Sequence, residues 1–77
     1  MLSRTKYFTN QICRAFSAIA EVYQEEGDKE FIRKEICNAI QFYREGIHVN
    51  CKDVQLNAKL NSNRAIAYYH LGKILIL

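Results

Sequence analysis

At 77 residues, with 49% hydrophobic and 25% charged side chains, no proline and three glycines, the chain has room for one small domain and too few breakers for a many-turned β fold. Its formal charge of +3 comes from Arg4, Lys6 and Arg14, because from Glu21 onward eight basic and eight acidic side chains cancel. No basic stripe is left to track a phosphate backbone, which argues against nucleic acid as a partner, and no run of about eighteen apolar residues is present to span a membrane.

The first twenty residues are basic, hydroxyl-bearing and free of acids, with Phe8, Ile12, Phe16 and Ile19 at helical spacing. They read as an amphipathic helix covering one end of the domain, or as a mitochondrial-type targeting segment; the periodicity favours the helix. Next, Phe16, Ile19, Ala20, Tyr23, Gly27 and Phe31 follow one another at three or four residues and predict a helix. Ile36, Ala39, Ile40, Tyr43, Gly46 and Ile47 predict a second. Only Arg33–Glu35 separates the two, a turn short enough to force them antiparallel. A longer polar link carries Asp53 as N-cap of a third helix, built on Leu56, Leu60, Ala67, Tyr68 and Leu71. Gly72 is expected to close that helix as a C-cap.

Small residues recur on the expected contact faces: Ala20 and Gly27, Ala39 and Gly46, Ala65 and Ala67. A glycine inside a helix costs about 1 kcal/mol relative to alanine. Accepting that cost twice implies helix axes brought close, with Tyr23, Phe31, Tyr43 and Tyr68 as the large residues that interlock between them.

No catalytic constellation is legible. His48 and His70 stand alone at or near helix ends, without a ligand-spaced cysteine or carboxylate, so neither a metal nor a cofactor is expected. Glu25, Glu26, Asp28 and Glu30 read as a solvated helix face. Lys29 with Arg33 and Glu30 with Lys34 stand as ordinary neighbours four residues apart. Cys13, Cys37 and Cys51 are odd in number and widely spaced, with no CxxC motif and no disulfide framework, which suits a reducing compartment. Cys37 is expected as a small apolar filler.

The stretch "YQEEGDKEFIRKEICNAIQFYREGI" resembles a tetratricopeptide repeat, with Gly27, Ala39 and Tyr43 at the family's spacing and Gly46 at its second small position. "NSNRAIAYYHLGK" resembles the first helix of a following repeat, with Ala65, Tyr68 and Gly72 in register. Gly27 and Ala65 lie 38 residues apart, against about 34 in the family, so the resemblance implies a lengthened helix or loop around "NCKDVQLNAK". The runs "AEVYQEEGD" and "C.D..LNA.L..NRA.A.Y.LG" are similar to a co-chaperone branch of that family. The implied fold is all-α: an unmatched amphipathic segment 1–19, about one and a half helix-turn-helix repeats over 20–73, and an apolar tail 74–77. The tail stands where the second helix of the next repeat belongs, as in a truncated form.

Co-chaperones of this family hold the C-terminal carboxylate of a heat-shock chaperone tail between basic and amide side chains. Mapped by the resemblance, Gln24 takes a lysine's place, Asp28 an asparagine's, and Asn63 keeps its asparagine. Gln24 lacks the charge that strengthens such bonds, and Asp28 repels a carboxylate ligand. The resemblance therefore implies an interaction scaffold of the cytoplasm or nucleus, with a degenerate, incomplete clamp and weak hold on chaperone tails. With about three repeats normally needed for a stable stack, self-association is expected. Two alternatives stay open: a targeting or membrane-surface role for the basic N-terminus, and a truncated product without function.

Overall fold

The computed structural model describes the backbone of residues 2–76 and the side chains of residues 12–74. Among these residues it has three helices: α1 (Leu2–Ile32), α2 (Ile36–His48) and α3 (Val54–Ile76). The basic N-terminal stretch and the helix predicted from Phe16 onward are one continuous α1. No proline or glycine interrupts residues 2–26, so nothing in the backbone asks the helix to stop. The side chain of Phe8 and those of the tail after Ile74 lie outside the described residues.

α1 closes in a left-handed turn. Lys34 has a φ of 68°, and its N–H donates to the Phe31 carbonyl at 3.0 Å while Glu35 N–H donates to the Glu30 carbonyl at 2.9 Å. These are the two bonds of a Schellman closure, here with lysine at the position glycine usually takes. The chain then reverses into α2, which lies antiparallel on α1. α3 returns antiparallel to α2, opening as expected on Asp53, whose Oδ1 accepts from Leu56 N–H at 3.0 Å.

The core lies in the seam where α2 meets both other helices. Ala20, Ile36, Ala39, Ile40, Tyr43, Cys51, Leu60 and Ala67 are buried, with Phe31, Ile47, Val49, Leu56 and Leu71 packed around them. Gly27 and Gly46 do what their placement implied. A Cβ at Gly27 would sit 2.5 Å from Tyr43 Cε1, and one at Gly46 2.8 Å from Leu60 Cδ2. α1 passes over Tyr43 and α2 over Leu60 with no room for a methyl group.

Four expectations change. Gly72 does not end α3, which runs on to Ile76; its φ is not positive and nothing lies within 4 Å of a Cβ built there. Tyr68 is 54% exposed and Ala65 is exposed, so neither interlocks: they lie on a side of α3 that no other helix covers. Cys37 faces solvent and Cys51 fills the core instead. Lys34 has left the helix and cannot pair with Glu30 across a turn. The ion pair seen among the described residues joins Lys29 to Glu26 at 3.2 Å.

Candidate functional site

α1 and α3 run side by side in the same direction against α2, so their inner faces form two walls of one groove. Each of the three residues mapped to a clamp lies at this junction. Gln24 is on the α1 wall, 5% exposed. Asp28 stands one turn further along the same helix. Asn63 faces it from α3 and donates from Nδ2 to Asp28 Oδ1 at 3.3 Å.

A fourth residue completes the set. Tyr43 enters from α2, 2% exposed, and its hydroxyl donates to Asp28 Oδ1 at 2.5 Å. Gln24 donates from Nε2 to Asp28 Oδ2. One carboxylate thus receives three hydrogen bonds, from all three helices. Asp28 is half-buried and engaged, not part of a solvated face as its acidic neighbours suggested.

Tyr43 carries the electrostatic signature of this arrangement. Burial, first, and then its hydrogen bond to the Asp28 carboxylate and that group's negative charge push the Tyr43 hydroxyl well above the usual phenol range. The hydroxyl remains a donor at every ordinary pH. Its ring meanwhile fills the space left by Gly27, so the packing of α1 on α2 also aims the polar end of Tyr43 at the site.

Asp28, Phe31, Tyr43, Asn63 and Ile66 line a cleft of about 160 Å³. Phe31 meets the His70 ring edge to face, with centroids 5.2 Å apart. The cleft thus offers one carboxylate, its donors and an aromatic wall. Among the described residues no group of three or more histidine, cysteine or carboxylate side chains could hold a metal ion.

Tyr43 was not legible in the sequence as a polar participant, because its place in the helical period marked it as core, and neither was Asn57. That residue donates to the Cys51 carbonyl at 2.7 Å, and its own carbonyl receives Asn61 Nδ2 at 2.8 Å. Asparagines dense in a helix, where they are mediocre formers, were the available signal.

Three curated relatives are similar to this chain. Tetratricopeptide repeat protein 4 of mouse is 42% identical over 55 residues, 71% of this chain and 14% of that protein. The proteins of the same name from human and from cattle are each 43% identical over 53 residues, 69% of this chain and 14% of their own length. The chain therefore spans about a seventh of the relatives it matches. No family model matches it, and no solved structure does.

Proposed function

From a chain that belongs, in part, to the tetratricopeptide repeat protein 4-like family, we propose an interaction scaffold that takes a linear protein segment along the groove between α1 and α3. The observation that carries this reading is the meeting of Gln24, Tyr43 and Asn63 on Asp28 at the floor of the groove. Three buried or half-buried donors from three helices, aimed at one carboxylate, make a seat built for a carboxyl group. Here Asp28 occupies that seat from within the chain. The acidic tail of a heat-shock chaperone would have to displace it and bear its charge, so the clamp holds such tails weakly. We place this activity in the reducing setting of the cytoplasm or nucleus, and assign the protein no catalytic role.

Titration with an acidic C-terminal peptide of a heat-shock chaperone, followed by fluorescence anisotropy, tests the assignment. The Gln24→Lys, Asp28→Asn double variant restores a cation and removes the competing carboxylate. Each charge-assisted bond is worth roughly 1.5–3 kcal/mol, so the variant should bind at least about tenfold tighter than the parent. Equal affinities in two well-folded proteins would show that these positions are not a clamp.

A second reading draws on the apolar side chains that α1 leaves exposed, Ile12, Phe16, Ile19 and Val22, beside a basic N-terminal sequence. That combination suits adsorption to an anionic membrane surface. Failure of the chain to co-sediment with phosphatidylserine vesicles at low salt would remove it. No helix among the described residues is long and apolar enough to cross a membrane.

A further inference from the structure

Away from the Asp28 cluster, residues 12–16 of α1 and the loop between α2 and α3 line a half-open cavity of about 200 Å³. Ile12, Cys13 and Phe16 form one wall, and Asn50, Cys51 and Lys52 the other. Two of the three cysteines in the chain therefore line a single space. Neither is in a disulfide.

The local build shows how Cys51 comes to lie there. After α2 the chain turns at Asn50, whose φ of 55° is a left-handed conformation that asparagine tolerates. The turn carries Cys51 inward to 3% exposure. Asn57 then fixes it at two points: Nδ2 donates to the Cys51 carbonyl at 2.7 Å, and the thiol donates to Asn57 Oδ1 at 3.6 Å. Opposite, Cys13 is only half-buried, within reach of a small solute. It lies two turns before Ala20, the first buried residue along the described part of α1. Across the cavities on either side of Cys13, the residues facing its helix come from the loop alone. Closing this part of α1 on the loop therefore breaks into no helix–helix seam.

We propose that Cys13 and Cys51 form a peroxide-responsive dithiol pair, with Cys13 as the attacking thiol and Cys51 as the resolving one. The Cys13 thiolate attacks hydrogen peroxide, takes one oxygen to become a sulfenic acid and releases hydroxide. Cys51 gives its proton to water, and its thiolate attacks the Cys13 sulfur, forming the S–S bond and expelling a second hydroxide. The two thiol protons convert the two hydroxides to water. In sum, two thiols and one peroxide give one disulfide and two waters, and the sulfurs lose two electrons to the peroxide. Of the two cysteines that line this cavity, Cys13 is the more exposed and reacts first, and Cys51 follows because it is the thiol-bearing residue across the same cavity. The bond needs Cα atoms within about 7 Å, so oxidation draws α1 onto the loop and closes the cavity. This inference is independent of the peptide groove.

The test is to expose the whole chain to equimolar hydrogen peroxide with a chelator present, block remaining thiols with iodoacetamide and map the peptides by mass. We expect a bridged Cys13–Cys51 peptide, an alkylated Cys37, a monomeric product lighter by two hydrogens before blocking, and full reversal by dithiothreitol. Thermal unfolding should rise by several degrees in the oxidised form, because the bridge constrains the unfolded chain. Cys13→Ser, a half-exposed and nearly isosteric change, should abolish the bridge and slow oxidation of Cys51 at least tenfold; Cys37→Ser should change nothing. Bridges that involve Cys37, dimers linked between chains, or Cys13 advancing to sulfinic acid with Cys51 still free would each overturn the proposal. Mapping the unaltered chain needs no variant to fold.

Discussion

Tyr43 unites packing and polarity in one side chain: its ring lies under Gly27 and its hydroxyl holds Asp28. Removing only the hydroxyl separates the two roles. Tyr43→Phe keeps the ring and should cost about 1.5–3 kcal/mol, the usual worth of a hydrogen bond to a charged group, read from urea unfolding at pH 7. A pH titration gives a sharper check. The native phenol is pushed up, whereas an unfolded one ionises near pH 10. Above about pH 10 the unfolded state therefore holds fewer protons than the native state, and stability falls as pH rises. The parent should lose stability on this alkaline limb more steeply than Tyr43→Phe, and parallel limbs would contradict the cause assigned to the shift. Lys34 offers the opposite case. Its left-handed φ of 68° costs a side-chain-bearing residue roughly 1–2 kcal/mol, so Lys34→Gly should raise the melting temperature.

At the scale of elements, the three glycines rank the helix seams. Gly27→Ala drives a methyl into the Tyr43 ring and Gly46→Ala into the buried end of Leu60. Overpacking of this kind costs roughly 1–3 kcal/mol, and the rigid ring should make Gly27 the worse site. Gly72→Ala meets open space inside α3, so it should stabilise by about 0.5–1 kcal/mol through helix propensity. Thermal melts of the three variants should thus show two decreases and one increase, and a loss at Gly72 would place an unseen partner against α3. The seam of α1 with α2 was legible because Gly27, Ala39, Tyr43 and Gly46 sit at fixed helical intervals. α3 was not, because its small residues serve two different surroundings: Ala67 is buried against α2 while Ala65 faces solvent. Both are alanines at helical spacing, and only the neighbouring helix distinguishes them.

The whole molecule is a rod rather than a ball. It measures 60 × 16 × 14 Å with a radius of gyration of 15.2 Å, against about 11.5 Å for a globule of this length. Ile66, Tyr68, Tyr69 and Ile74 of α3 are exposed. A stack of repeats gains stability from each neighbour it covers, and this one leaves one face of α3 uncovered, so we expect marginal stability and self-association. Sedimentation velocity should show mass rising with concentration, with a melting temperature that rises alongside it; a monomer with a concentration-independent, high melting point would contradict this. The amino-acid order alone determined the helices, the antiparallel pairing at Arg33–Glu35 and the close approach at Gly27 and Gly46, since each rests on spacing within a helix or across one short turn; the three mapped site positions came from the family resemblance instead. Only the tertiary structure decided that Asp28 is the acceptor at the centre of the site, that Tyr43 supplies a donor from α2, and that Cys13 and Cys51 share a cavity. Each depends on which residues distant in the chain become neighbours, and that follows from how helices pack, a property that periodicity along one helix does not contain.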